Sequence, residues 1–146
     1  MDKIILVAEG DPDDRALIHR AISDADVGAN AITVGDGREA LDYLFARGDY
    51  AGRDVGVQPR LVLLDLALPR MGGLEVLRRL RQDERTRLLR VVVICSSDQA
   101  QDVHAAYRAG ANSYIYKPTD STRFVEAVQL AVRFWLTINL PPLWSG

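Results

Sequence analysis

The sequence predicts an α/β fold: an open, doubly wound parallel sheet of five strands with five helices. Three observations carry that expectation. Residues 4–8, 61–64 and 91–95 are apolar runs without polar alternation, as expected of strands covered on both faces. Amphipathic helical patterns fall between them, and strand followed by helix recurs five times along the chain.

The first strand is residues 4–8, Ile-Ile-Leu-Val-Ala. Asp11 then offers an N-cap and Pro12 a first helical position, and Leu17, Ile18, Ala21, Ile22 and Ala25 make one apolar helix face. A shorter β-prone run, residues 32–34, leads to Asp36 as an N-cap for a face of Ala40, Leu41 and Leu44. Residues 48–59, rich in Gly and Asp, read as a loop. The third strand, residues 61–64, runs into Asp65. Gly72 and Gly73 precede a helix whose inner face is Val76, Leu77 and Leu80. The fourth strand is residues 91–95. Its helix is expected to be capped by Ser97 or Asp98, to bury Val103, Ala106 and Tyr107, and to stop at Gly110. Residues 114–116 make the fifth strand, and the last helix starts near Asp120 or Ser121 and runs through Trp135.

A chain of 146 residues fits one domain, here 1–146 with 139–146 as a C-terminal tail. Its net charge of −2 is spread along the sequence, which argues against a nucleic-acid partner, since binding phosphates needs a concentrated basic face. The local exception, Arg78, Arg79, Arg81, Arg85, Arg87 and Arg90, is interleaved with Glu75, Asp83 and Glu84 and reads as a solvated face. Cys95 is the one cysteine, so no internal disulfide forms and a reducing compartment is expected. The N-terminal apolar run is too short for a signal peptide or membrane span, so a cytoplasmic protein is expected.

In a doubly wound sheet, sites form outside the carboxyl ends of the strands. The residues there are Glu9, Gly10 and Asp11 after the first strand, Asp65 at the third, Cys95 and Ser96 at the fourth, and Lys117 with Pro118 after the fifth. Clustered carboxylates repel one another unless a cation lies among them, and hard oxygen ligands suit Mg2+. Asp65, delivered on a buried strand, is the candidate nucleophile towards phosphorus, giving an acyl phosphate. A metal and the Lys117 ammonium would balance the charge on the transferring group. The turn after the first strand is no Gly-x-Gly-x-x-Gly, which speaks against a dinucleotide enzyme. A phosphatase with an aspartyl intermediate would want a second aspartate at position 67, which is Ala67.

Residues 63–74, Leu-Leu-Asp-Leu-Ala-Leu-Pro-Arg-Met-Gly-Gly-Leu, resemble the phosphoacceptor segment of response-regulator receiver domains. Residues 114–118, Tyr-Ile-Tyr-Lys-Pro, resemble their closing lysine–proline motif, and residues 109–113 the turn before it. The likeness spans nearly the whole chain. Pro12-Asp13-Asp14 and the tail from Phe134 to Pro142 look like the short regulators that partner bacterial phytochrome histidine kinases. The resemblance implies a flavodoxin-like sheet of order 2-1-3-4-5 and a signalling protein rather than an enzyme. Asp65 would accept a phosphoryl group from a histidine kinase, and Lys117 would pair with a phosphoryl oxygen. Glu9, Asp11, Asp65 and the Ala67 carbonyl would hold Mg2+, Tyr114 would be the switching aromatic, and the Lys117–Pro118 bond would be cis. With no output domain expected, the response would pass through protein contacts.

Two positions depart from the family. Gly10 stands where the direct metal-binding aspartate is expected, leaving Asp11 to reach the cation from another angle. Cys95 stands at the switch serine or threonine, and strand alternation points the next residue, Ser96, to the opposite face. A thiol is a weak donor. These departures motivate a competing reading, a degenerate receiver that binds its kinase or itself without phosphorylation. The last helix suggests a second surface: its polar side is narrow, and about two-thirds of its circumference is apolar, more than one sheet face needs. A homodimer through Leu130, Phe134, Trp135 and Ile138 is expected, with residues 140–144 pinning it.

Overall fold

A computed structural model describes residues 3–142. Five parallel strands, β1 (Lys3–Ala8), β2 (Ala29–Val34), β3 (Leu61–Asp65), β4 (Val91–Cys95) and β5 (Ser113–Tyr116), lie in the order β2-β1-β3-β4-β5. Five helices connect or follow them: α1 (Pro12–Ala25), α2 (Gly37–Leu44), α3 (Gly73–Gln82), α4 (Ala100–Ala109) and α5 (Ser121–Arg133). The flavodoxin-like doubly wound order is the expected one.

The apolar runs explain why both faces are covered. Along β3, Leu61 and Leu63 join a core built with Ile18 and Ile22 of α1 and with Phe124, Val128 and Val132 of α5. Val62 and Leu64 point the other way, onto Leu41 and Leu44 of α2, Val76 and Leu80 of α3, and Ala106 of α4. Period-two alternation thus feeds two separate cores from one strand. The central strands end in register at one edge, which gathers the site: Ala8 pairs with Leu64, and Asp65 with Ile94.

Several local expectations change. β2 begins at Ala29, earlier than its apolar residues suggest, because pairing with β1 extends it through Ala29, the exposed Asn30 and Ala31. The loop at 48–59 contains a single 3-10 turn, Gly48–Tyr50. The N-cap of α4 is Gln99, while Ser97 Oγ accepts the Gln99 N–H from outside the helix. Tyr107 is exposed, and Ala109 takes its place in the core. α5 stops at Arg133 and continues as a π-helical turn, Phe134–Ile138, closed by the Asn139 N–H donating to the Phe134 carbonyl at 2.7 Å. No cis peptide occurs among the described residues, so Lys117–Pro118 is trans, the form an X–Pro bond favours by about 0.5–1 kcal/mol.

The arginine cluster is also not one solvated face. Arg78, Arg79 and Arg85 pair with Glu75 and Asp83 at the surface. Arg81 instead donates to the carbonyls of Gly110 and Arg87 and to Asn112 Oδ1, tying α3 to the turn before β5. Arg90 is buried.

Candidate functional site

Glu9 directly follows β1 and is 1% exposed; its backbone N–H donates to the Val34 carbonyl. Arg15, one turn into α1, donates to the carbonyls of Glu9 (2.7 Å) and Gly10 (3.1 Å) and fixes the chain where it leaves the strand. Asp65 is the last residue of β3, and its Oδ1 accepts the Ala67 N–H at 2.9 Å. Gly73 opens α3 so close to this turn that a Cβ there would lie 2.4 Å from the Asp65 carbonyl oxygen. Lys117 follows β5, with its backbone N–H on the Cys95 carbonyl at 2.8 Å.

The side chain of Lys117 joins these elements. Its Nζ donates to Glu9 Oε1 at 2.6 Å, Asp14 Oδ2 at 2.9 Å and Asp65 Oδ2 at 3.0 Å. Three carboxylates therefore share one ammonium. Burial first, then the adjacent Asp65 carboxylate, push the Glu9 carboxyl up to about 8. Burial works against the Asp65 carboxylate too, but hydrogen bonds with Glu9, the Ala67 N–H and Lys117 outweigh it and hold Asp65 below the usual range. For Lys117, burial disfavours the charge, and its bonds to Glu9, Asp14 and Asp65 reverse that and raise it above an ordinary lysine. Glu9 Oε2 is buried and meets no N–H or O–H donor.

Glu9, Asp11, Asp14, Asp65, Ala67, Ser96 and Lys117 line a cleft of about 540 Å³. The expected residues are thus brought together, with two differences. Asp11 Oδ1 accepts the N–H groups of Asp13 and Asp14, so that oxygen caps α1. Ser96 does reach the Asp65 cleft, whereas Cys95 lines a neighbouring one with Leu66, Leu74 and Ala105. The alternation that separates the two ends with the strand, and β4 stops at Cys95. Tyr114 is half-buried, and its hydroxyl donates to the Ser97 carbonyl at 2.7 Å.

Asp14 and Arg15 were not legible as site residues. The signal available for Asp14 was its position in the first turn of a helix that begins at the strand edge, beside the mouth of the cleft. A divalent cation suits the donor set: hard carboxylate oxygens, an excess of negative charge and one buried oxygen that meets no donor. Among the described residues no three acidic, His or Cys groups already form a metal cage, since the carboxylates are drawn to Lys117. Mg2+ asks for less than a cage, being held by one or two carboxylates and several waters.

An acidic cleft at the carboxyl edge of a 2-1-3-4-5 sheet, with a strand-end aspartate facing a lysine, defines a receiver. The model of the response regulator receiver domain matches residues 5–129, and the chain belongs to that family. It is 36% identical over 139 residues to the probable methanogenesis regulatory protein FilR2 of Methanothrix harundinacea (95% of this chain, 87% of that protein). It is 32% identical over 140 residues to response regulator Rcp1 of Synechocystis (95% and 93%). The phosphorylated cyanobacterial phytochrome response regulator RcpA superposes with a TM-score of 0.90 at 33% identity, covering 98% of this chain and 100% of that one. The Mn2+-bound form of Rcp1 gives 0.89 at 30% identity, covering 97% and 99%. The chain is therefore a receiver-domain response regulator of the Rcp1 and RcpA type.

Proposed function

We propose that this receiver takes a phosphoryl group on Asp65 from the phosphohistidine of a histidine kinase, of the phytochrome type, with Mg2+ as cofactor. The observation that carries the reading is Asp65 itself. It is an ionised carboxylate at a strand end, with one oxygen on the Ala67 N–H and the other 3.0 Å from Lys117. Those contacts orient it in the cleft and keep it unprotonated, the form that attacks phosphorus. The metal, held by Glu9, Asp65 and the Ala67 carbonyl, would offset charge on the phosphoryl oxygens. Lys117 would pair with one oxygen and Ser96 would donate to another.

The added charge acts on contacts that Lys117 and the loop after β4 now make. Lys117 is shared by three carboxylates, and Tyr114 holds that loop through Ser97. Redirecting Lys117 and Ser96 to the phosphate would loosen both, with Tyr114 as the moving aromatic. The changed surface then signals through protein contacts, including a second copy docked on the last helix. There Leu130, Phe134 and Ile138 form one stripe, 67%, 43% and 72% exposed. Trp135, expected in the same contact, is only half-exposed and packs against the α1/α5 core. Leu140 is exposed, and Leu143 and Trp144 of the expected pin lie outside the described residues.

Incubation with acetyl phosphate and Mg2+, followed by intact mass, tests the acceptor. A single phosphoryl gain that disappears in Asp65→Asn is expected. No gain, or one that persists in Asp65→Asn, would leave a receiver that works by contacts alone.

A further inference from the structure

We infer that Asp14 supplies the carboxylate that Gly10 lacks, acting as the third acid of the divalent-cation site. The inference rests on the metal-assisted reading above and adds a residue to it.

Position 10 carries no side chain, and a replacement there would be tight, its neighbours having to give by a few tenths of an ångström. A Cβ on Gly10 would lie 3.2 Å from both the Gly35 carbonyl oxygen and Pro69 Cδ. An acid for the cation must come from another element. Asp11 is next in sequence, but its Oδ1 is committed to two N–H groups at the start of α1. Asp13 is exposed. Asp14 lies one residue further along the first turn, and its Oδ2 is 2.9 Å from the same Nζ that touches Glu9 and Asp65. Three carboxylate oxygens from three separate elements thus already converge on one positive centre.

That ammonium does not satisfy them. Glu9 Oε2 is buried and meets no donor although Oε1 is bonded, so the cluster holds more acceptor capacity than Lys117 fills. A hard cation with its waters supplies the missing charge, and Asp14 can bind it directly or through a water. Lys117 is then released from Asp14 and Glu9 towards the acceptor. A resting function follows as well: without metal, Asp14 holds Lys117 in the cleft.

Mn2+ affinity, read by the electron-spin-resonance signal of free Mn2+, tests this without any phosphoryl transfer. Asp14→Asn, Asp11→Asn and Asp13→Asn each remove one charge from the same helix turn, and asparagine still caps α1 at position 11. The expected result is a loss of about tenfold or more for Asp14→Asn, the scale seen when a supporting group of a metal site is removed. Asp13→Asn, at an exposed position, should lose less than about threefold, and Asp11→Asn less than Asp14→Asn. Equal losses in all three, or the largest loss in Asp11→Asn, would overturn the inference and leave the metal site standing. Absence of saturable Mn2+ binding by the unmodified protein would overturn both. Circular dichroism melts of the three variants confirm that each is folded when titrated.

Discussion

Lys117 Nζ lies 2.6 Å from Glu9 Oε1, joining residues 108 positions apart in a contact where Glu9 is almost fully buried. Removing one member of such a pair leaves an uncompensated charge, at a cost of about 3 kcal/mol or more. Lys117→Met should lose about that much stability at pH 9, where Glu9 is ionised. At pH 6 the loss should be smaller, because Glu9 can remain protonated. Urea unfolding at the two pH values measures the difference. Equal losses would show that the lysine stabilises by packing rather than by charge.

Glu9 alone makes a second pH prediction. Its folded value is raised from 4.5 to about 8. Its stabilising contribution is therefore complete below about pH 4.5 and is lost as pH rises through about 8. Glu9→Gln has no such loss, so its stability relative to wild type should climb between pH 5 and 8 and level off above. The scale is on the order of 1 kcal/mol per pKa unit. Asp65 has the opposite sign, its contribution being lost only as pH falls below the usual carboxylate range, outside this window. A pH-independent difference between the two proteins would contradict the assignment.

The sheet was legible from unbroken apolar runs, its strand order from the family resemblance, and Asp65 as the candidate acceptor from what the third run ends on. Leu61 to Leu64 reads as a strand buried on both faces, which brings Asp65 to its end, as the structure has it. Asp14 was not legible, since a first-turn aspartate after Asp11 and Pro12 reads equally well as support for the helix dipole. Only the fold shows that the start of α1 overhangs Lys117. Ser96 was misread for a related reason: alternation predicts sides within a strand, and the strand ends one residue earlier. Arg81 was read as surface because composition does not reveal that partners await it at Gly110, Thr86, Arg87 and Asn112.

Gly73 makes a steric prediction. Its Cβ would meet the Asp65 carbonyl oxygen at 2.4 Å and Leu66 Cα at 2.8 Å, both backbone atoms of the turn that follows β3. Gly73→Ala should cost about 2–3 kcal/mol, as overpacking does. It should also slow labelling by acetyl phosphate, because relief of the clash moves Asp65. Gly52→Ala, with nothing within 4 Å of the new Cβ, should stay within about 0.5 kcal/mol of wild type. Thermal melts of both separate a local clash from a general cost of replacing glycine.

If Asp65 is phosphorylated as proposed, Ser96 rather than the Cys95 thiol would supply the hydroxyl. Ser96 lines the cleft with Asp65 and Lys117, and Cys95 faces Leu66, Leu74 and Ala105. A hydrogen bond to a charged oxygen contributes about 1.5–3 kcal/mol, a factor of roughly ten or more in rate if made in the transition state. Ser96→Ala should therefore slow labelling about tenfold, and Cys95→Ala by less than about threefold. The reverse order would return the role to Cys95.

The last helix carries the remaining prediction. Leu130, Phe134 and Ile138 recur every four residues, so they share one side of α5 and its π-helical end, and all three are exposed. Their opposite side is already used: Val128, Val132 and Leu136 sit in the core against α1 and β3. Phe134 is braced edge-on against Trp135 at 5.0 Å, which holds its ring in a fixed position beside the two aliphatic side chains. A second copy related by a two-fold axis would place each stripe on its equivalent and remove this surface from water. Leu130→Arg and Ile138→Arg put charge into that contact without touching the buried side. Each should shift the sedimentation coefficient from dimer to monomer across a concentration series while leaving the melting temperature of the monomer nearly unchanged. A monomeric mass for the unmodified protein at every concentration, with and without phosphoryl label, would remove the self-docking surface and leave the stripe to another partner.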